Sequence, residues 1–186
     1  MSSAGEDLVV LLDADRQPCG VAPRATVHDT NTPLHLAFSC YVFSPAGALL
    51  MTRRSLHKRT WPGVWTNSCC GHPRPGERVE DAVARRLEQE LGLVTDALDC
   101  RIPQFAYRAV DASGTEENEV CPVFVTVCEG EPRPDPDEVA EHRWLAWDAA
   151  VEVARGANFL ISPWASAQIP LLAASPAASA APAHPG

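Results

Sequence analysis

Residues 71–93 read GHPRPGERVEDAVARRLEQELGL and contain the most regular pattern in the chain. Between Val79 and Leu91 apolar residues recur every four positions, which is the spacing that lines one face of an α-helix. Gly92 follows directly, and glycine is common just beyond a helix C-terminus. The pattern therefore predicts an amphipathic helix over Val79–Leu91 whose apolar face packs against a core.

Two charged residues, Arg86 and Glu90, fall within this apolar face. Charged groups on a buried face are normally paired with each other or bound to a metal or ligand, because an unpaired buried charge is strongly destabilising. Their four-residue spacing allows an ion pair along the helix. Binding of a metal or an anion is the alternative, and the helix alone leaves both open.

The segments around this helix predict a mixed α/β (α+β) fold. Predicted strands cover Leu8–Leu12 and residues 36–43, 47–52, 105–110, 120–127 and 141–147, and predicted helices cover residues 148–154, with Asp148 as N-cap, and 163–170. Strands and helices do not alternate in a βαβ rhythm. This order favours a sandwich of mixed or antiparallel sheet flanked by helices over a doubly wound parallel sheet.

Length and composition predict a single domain with a short tail. A chain of 186 residues that is 46% hydrophobic is long enough for one packed core, which we place in residues 1–172. Residues 173–186 contain only Ala, Ser, Pro, His and Gly. Such a composition buries too little apolar surface to offset chain entropy, so this tail is predicted to be disordered.

The net charge and the cysteines restrict the partners and the compartment. A formal charge of -9 argues against binding to nucleic acid or to an anionic membrane, so a small anionic ligand needs a local basic pocket. Seven cysteines without a disulfide spacing indicate reduced thiols in the cytoplasm. No signal peptide and no apolar run of about 18 residues is evident in the sequence. A monomer is the default expectation.

Three histidines and two glutamates form a candidate metal site. His28 and His35 bracket a turn-like segment, and His72 follows Cys-Gly. Glu117 and Glu119 project from the same face of an extended segment, because side chains alternate along a strand. Each histidine alone is more often structural, but together these donors suit a mixed nitrogen and oxygen site.

The spacing around the helix resembles the Nudix box, a loop, helix and loop that places carboxylates beside a metal-bound diphosphate. The matching positions are Gly71, Glu77, Arg85, Glu90, Gly92 and Leu93. Arg86 and Gln89 stand where that pattern has glutamates. The missing carboxylates argue against hydrolysis by metal-activated water, whereas the Arg86 guanidinium suits bidentate recognition of phosphate.

Three further segments are similar to signatures of the type 1 isopentenyl-diphosphate isomerases, a Nudix-fold family. They are WPGVWTNSCCGHP at residues 61–73, Tyr107-Arg108, and EENEVCP at residues 116–122. The similarity spans roughly residues 8–164, and a combination of separated motifs is more specific than any one of them. The resemblance implies a metal-dependent enzyme that converts isopentenyl diphosphate to dimethylallyl diphosphate for isoprenoid biosynthesis.

The resemblance also implies roles for individual residues. The implied ligands of one metal, Mn2+, Zn2+ or Mg2+, are His28, His35, His72, Glu117 and Glu119. Glu90 is implied to hold Mg2+ against the substrate diphosphate. The implied diphosphate-binding cations are Arg24, Arg54, Lys58 and Arg86, of which Arg24 stands where the family commonly has lysine.

Moving the double bond requires a proton to be added at a terminal carbon and another to be removed from C2, through a carbocation-like state. The resemblance implies that Glu119, assisted by Tyr107, protonates the alkene, and that Cys70 acts opposite as a thiolate whose pKa nearby positive charge lowers. Trp164 would present its ring face to the cation. The sequence leaves open which residue serves which face.

Two other functions stay open at this stage. A Nudix hydrolase of a nucleotide or another diphosphate is supported by the spacing of residues 71–93 and opposed by the missing carboxylates. A catalytically silent module that binds metal or phosphate is the second alternative, and it would tolerate replacement of Cys70 or Glu119.

Overall fold

The computed structural model describes residues 7–175. The strands are β1 (Leu8–Leu12), β2 (Pro18–Pro23), β3 (His35–Leu36), β4 (Phe38–Phe43), β5 (Ala48–Arg54), β6 (Trp65–Thr66), β7 (Cys69–Gly71), β8 (Asp99–Ile102), β9 (Ala106–Val110), β10 (Glu116–Val120), β11 (Val123–Val127) and β12 (Val139–Ala146). The helices are α1 (Val79–Leu91), α2 (Trp147–Gly156) and α3 (Pro163–Ala174), with a 3-10 turn at Asn158–Leu160. Within this part of the chain, none of the helices is long and apolar enough to span a membrane.

The strands form two mixed sheets that meet where the chain crosses between them. One sheet has the order β2-β1-β3-β10-β9, and the other has the order β12-β5-β4-β11-β8, with β6 on β5 and β7 on β4. The pairs β3·β10 and β4·β11 are parallel, whereas the remaining pairs are antiparallel. The chain passes from β3 to β4 and from β10 to β11, so residues at these crossings belong to the junction of the sheets.

The central strand β4 supplies side chains to two separate cores. Phe38, Cys40 and Val42 pack with the apolar face of α1, whereas Tyr41 packs with α2 and α3. Successive side chains of a strand point to opposite faces, so one strand serves both cores. The predicted sandwich of mixed sheet flanked by helices is confirmed.

Helix α1 has the predicted bounds, Val79–Leu91, and the predicted end. Gly92 adopts a left-handed conformation with φ of 62°, and its N–H donates to the Glu88 carbonyl. A glycine tolerates this conformation without the steric cost that a side chain would add. Val83 and Leu87 are fully buried, so the repeat does mark the core face.

Other predicted elements differ in detail from the structure. The strand predicted over residues 120–127 is broken at Cys121-Pro122, where the chain leaves one sheet for the other. Asp148 is not the N-cap of α2, which begins at Trp147 after Ala146, and it lies in the first turn, where an acidic group suits the helix dipole. The short or exposed strands β2, β6, β7 and β8 were not predicted.

The boundary of the predicted tail also shifts. Helix α3, with Ser162 as its N-cap, continues through Ala174 and so includes the first two residues of the predicted tail. The rest of the predicted tail, residues 176–186, lies outside the described residues.

Candidate active site

Four of the five predicted metal ligands converge at the junction of the two sheets. Donor atoms of His28, His35, His72 and Glu119 all lie within 4.8 Å of one another. His72 Nε2 lies 3.1 Å from Glu119 Oε1 and 3.2 Å from His35 Nε2. His35 Nε2 is 3.4 Å from the same carboxylate oxygen. The group therefore presents three imidazole nitrogens and one carboxylate oxygen to a common point.

Strand register brings these residues together from distant parts of the sequence. In the first sheet Glu119 of β10 pairs with His35 of β3 on one side and with Tyr107 of β9 on the other. The loop that carries His28 is tied to β10, because Glu116 N–H donates to the Asp29 carbonyl at 2.7 Å. His72 follows β7, whose residues pair with β4 just beyond the crossing.

The protonation of this group is what a cation site requires. Burial lowers the pKa of His72 to about 4, so its imidazole is neutral and has a lone pair available. Burial alone would raise the pKa of Glu119, but hydrogen bonds from the neighbouring imidazoles hold that pKa well below its usual range. His28 Nε2 is buried without a hydrogen-bond partner and is 3.9 Å from Glu119. An unsatisfied buried nitrogen beside an ionised carboxylate fits a divalent metal ion.

Glu117, the fifth predicted ligand, lies beside this group instead of within it. Its Oε1 accepts a hydrogen bond from Thr60 Oγ1 at 2.7 Å, and its Oε2 contacts the Tyr107 hydroxyl. The Tyr107 hydroxyl is also 2.9 Å from Glu119 Oε2. One hydroxyl hydrogen can satisfy only one of these two oxygens, so the second contact needs a carboxyl proton. Burial, reinforced by the charge of Glu119, raises the pKa of Glu117, so Glu117 takes up a proton more readily than Glu119 does.

Cys70 lies on β7, paired with Ser39 of β4. Its Sγ is 3.2 Å from Asn67 Oδ1 and 3.6 Å from Ser39 Oγ. The prediction that positive charge lowers the pKa of this thiol is wrong. Burial raises the pKa of Cys70 to about 12, and the opposing effect of Arg54 is smaller. The residue is therefore a neutral thiol that donates to Asn67.

A cluster of rings surrounds Trp164, which is buried. The Trp61 ring packs edge-on at 5.4 Å, and the Tyr107 ring lies at 5.7 Å. The Arg54 guanidinium sits 5.5 Å from the indole centroid. Trp164 Nε1 donates to Asn67 Oδ1 at 2.9 Å. These contacts fix the indole in one orientation, with its polar edge satisfied.

The predicted diphosphate-binding cations are present but engaged. Arg24 pairs with Asp7, and Lys58 pairs with Glu138. Arg86 donates through Nε to Glu90 at 2.8 Å and through Nη2 to Glu138 at 3.0 Å. Both Nε and Nη2 of Arg54 donate to the Thr60 carbonyl. Burial lowers the pKa of Lys58 to about 8, so its charge is lost readily above that pH.

Of the two possibilities that the helix pattern allowed for Glu90, the structure has the ion pair with Arg86. It is buried on α1, and Arg86 donates twice to its Oε1.

Glu138 was not found from the sequence, because it lies in a loop without a motif. The position of Asn67 did carry a signal, since it stands inside the motif at residues 61–73.

These groups line one cavity of about 590 Å3. The predicted site residues along it are Arg24, His28, Arg54, Lys58, Cys70, His72, Arg86, Tyr107, Glu117, Glu119 and Trp164, and Arg59, Arg74 and Arg85 add further positive charge. His35 and Glu90 are buried and do not line this cavity. The cavity thus combines cations for an anion with a thiol, carboxyls and an indole.

Comparison with known proteins gives both sequence relatives and fold neighbours. The NUDIX domain family profile matches residues 33–165. A Frankia alni protein named isopentenyl-diphosphate Delta-isomerase is 59% identical over 164 residues, which are 88% of this chain and 84% of that protein. A Mycolicibacterium vanbaalenii protein with the same name is 56% identical over 169 residues, covering 91% of this chain and 93% of that protein.

Among solved structures, a Deinococcus radiodurans protein superposes with a TM-score of 0.66 at 19% identity, covering 88% of this chain and 97% of that one. A MutT protein from Methanosarcina mazei has a TM-score of 0.57 at 18% identity, covering 74% and 91% of the two chains. At such identities the likeness shows the fold alone.

Proposed function

The chain belongs to the NUDIX family and, within it, to the isopentenyl-diphosphate Delta-isomerases, and from this membership we propose that its cavity converts isopentenyl diphosphate to dimethylallyl diphosphate. The reaction adds a proton at one terminal carbon and removes a proton from C2. Its carbocation-like state calls for two groups that exchange protons with carbon, a ring that stabilises positive charge, and cations that hold the diphosphate.

The observation that carries the proposal is the placement of two proton-holding groups around one indole in the same cavity. The Cys70 thiol holds one proton at Sγ. On the other side, the Tyr107 hydroxyl contacts a carboxylate oxygen of both Glu117 and Glu119, which gives a second place where a proton can be held. Trp164 lines the cavity with both groups, and its ring already faces one cation, the Arg54 guanidinium at 5.5 Å from the centroid.

The protonation of Cys70 and Glu119 before substrate binds suggests which of them donates a proton to the substrate. Starting from a Cys70 thiol and a Glu119 carboxylate, we propose that Cys70 donates a proton and Glu119 receives one. The opposite assignment, which the family resemblance implies, starts from the state in which the proton has moved to the carboxyl side. Because a reversible proton transfer uses each group as acid in one direction and base in the other, both states belong to one cycle.

In the same cavity, Arg24, Arg54, Lys58 and Arg86 are proposed to bind the diphosphate. Their present partners include the carboxylates of Asp7, Glu90 and Glu138. A diphosphate would take over these charged hydrogen bonds, and it would leave the five-carbon chain next to Trp164 and the thiol.

The residues proposed to hold a metal ion are His28, His35, His72 and Glu119, and Mn2+ or Zn2+ suits their nitrogen-rich donor set better than Mg2+. When bound, the ion would make a proton on a coordinated carboxyl more acidic. Glu90 does not fit a second site as it stands, because Arg86 engages its Oε1.

The decisive experiment is incubation of the protein with isopentenyl diphosphate in deuterated water, with Mg2+ and a trace of Mn2+ or Zn2+, followed by proton NMR. Appearance of dimethylallyl diphosphate with deuterium is the expected result. Release of phosphate would indicate a hydrolase instead, and an unchanged spectrum from folded, metal-loaded protein would indicate a binding module.

Paired cysteine variants test the thiol. Cys70→Ala should abolish turnover while it retains affinity for the diphosphate, because the thiol hydrogen-bonds to Asn67 and Ser39 and not to the cations. Cys69→Ala is the matched control, since Cys69 is adjacent and buried but packs into the core beneath α1. If Cys70→Ala is as active as an active Cys69→Ala, Cys70 takes no part in the proton transfer.

A further inference from the structure

Asn67 lies between β6 and β7 and is fully buried. Its Oδ1 accepts hydrogen bonds from the Trp164 indole at 2.9 Å, from the Cys70 thiol at 3.2 Å and from Thr66 Oγ1 at 2.8 Å. One amide oxygen is therefore in contact with both the thiol and the ring that the isomerisation is proposed to use.

The amide of Asn67 is itself fixed by the backbone around it. Its Nδ2 donates to the Cys40 carbonyl at 3.0 Å and to the Cys69 carbonyl at 2.8 Å. Rotation of the amide by 180° would turn its NH2 group toward the indole N–H and its oxygen toward the Cys40 and Cys69 carbonyls, so that donor would face donor and acceptor would face acceptor. The backbone carbonyls of Cys40 on β4 and Cys69 on β7 therefore determine the direction in which Oδ1 points.

The other contacts of Cys70 and Trp164 constrain the orientation of these side chains less than Asn67 does. Ser39 Oγ lies farther from Cys70, at 3.6 Å, and it also contacts Cys121 Sγ at 3.3 Å. The rings of Trp61 and Tyr107 pack against Trp164 without a polar contact to its Nε1. Among these neighbours, Asn67 joins the thiol to the indole.

We propose that Asn67 is a positioning residue for the isomerisation, which sets the Cys70 thiol and the Trp164 ring at a fixed distance from each other. This inference rests on the proposed function and deepens it. Asn67 does not line the cavity, so it acts through its two partners and not on the substrate. The hydrogen bonds of its side chain go to Thr66, Cys40, Cys69, Cys70 and Trp164 and not to the diphosphate-binding cations.

Because Asn67 contacts the groups proposed to react, we expect its replacement to change kcat more than KM. Misplacement of a reacting group by about 1 Å can cost about 100-fold in rate. Asn67→Ala should therefore lower kcat by about 100-fold while KM changes less than about threefold, a loss confined to steps after binding. Because partial unfolding also lowers apparent kcat without changing KM, the rate is divided by the folded fraction measured by circular dichroism.

Ser68→Ala provides a matched control one residue away. Ser68 is also fully buried and also bridges strands, because its Oγ donates to the Leu50 carbonyl at 2.6 Å and accepts from Val42 N–H at 2.8 Å. It contacts neither Cys70 nor Trp164 through these bonds. Its removal should destabilise the protein and leave kcat of the folded fraction within about threefold of the wild type.

An activity-independent readout is the indole N–H of Trp164 in a nitrogen-proton NMR spectrum, identified by its absence in Trp164→Phe. It should exchange slowly with solvent in the wild type and shift, with faster exchange, in Asn67→Ala. Should that variant not fold, Asn67→Ser buries no charge and leaves a smaller void, and without Oδ1 its indole N–H should again shift and exchange faster.

The outcomes separate the two levels of the proposal. A wild type that does not isomerise its substrate refutes the proposed function, and the role of Asn67 in it. An active wild type combined with a folded Asn67→Ala of unchanged kcat refutes the positioning role alone. An indole N–H that exchanges rapidly in the wild type refutes the contact on which the role depends.

Discussion

Replacing Arg86 by glutamine should weaken both the fold and the binding of diphosphate, for different reasons. Arg86 is largely buried and donates to Glu90 and Glu138. Its removal leaves Glu90 buried without its partner, a change that costs 3–5 kcal/mol in buried pairs, and we expect about 3 kcal/mol here because the side chains keep some exposure. For a domain of this size the melting temperature should fall by about 6–12 °C.

The double variant Arg86→Gln/Glu90→Gln separates the two effects. It removes the unpaired carboxylate together with the guanidinium, so most of the lost stability should return. In both variants the affinity for diphosphate should be about 10–100-fold lower than in the wild type, because a charged hydrogen bond contributes about 1.5–3 kcal/mol. Arg78→Gln is the control, since Arg78 is exposed and, among residues 7–175, pairs with Glu80 alone.

Urea unfolding followed by circular dichroism measures the stability of each variant, and calorimetric titration with inorganic diphosphate and Mg2+ measures the affinity. If Arg86→Gln is as stable as the wild type, Glu90 does not depend on Arg86. If the dissociation constant is unchanged in both Arg86 variants, Arg86 is not a diphosphate-binding cation.

Three further predictions concern packing, pH and metal. Gly71→Ala should destabilise the protein by about 1–3 kcal/mol in urea unfolding, because its Cβ would lie 2.9 Å from the buried Phe38 ring; wild-type stability would show that the ring can move. Because burial lowers the pKa of Lys58 to about 8, its ammonium is lost as pH rises through that value, so kcat/KM should decline above pH 8. Lys58→Arg should abolish this decline, and its persistence would point to another group. Mn2+ or Zn2+ at about 100 times its dissociation constant should add about 2.7 kcal/mol of stability to the wild type. His28→Ala should lose most of that gain, and an equal gain in His28→Ala would place the ion elsewhere.

Helix α1 could be predicted to the residue because its information is local. Apolar residues at helical spacing, followed by Gly92, define both the buried face and the end of the helix. The strands were less predictable where tertiary pairing sets their limits. Cys121-Pro122 lies in one apolar segment of sequence, yet the chain changes sheets there.

The candidate site divides in the same way. Its residue types were visible as motifs, and the strand pairing of Glu119 with His35 joins segments that are far apart in sequence. The place of Glu117 beside the metal group depends on the Tyr107 and Thr60 contacts, which no spacing predicts. Glu138 reaches Lys58 and Arg86 from a loop that carries no recognisable pattern.

By itself, the sequence determined the helix, the mixed sandwich and the inventory of reactive groups, because these follow from local periodicity and from residue types that specific chemistry requires. Only the tertiary structure decided their protonation and partners. The Cys70 thiol shows why: its pKa depends on how completely the fold removes it from water, and burial outweighs the positive charge of Arg54. Desolvation and long-range contacts are properties of the packed chain, and no short segment contains them.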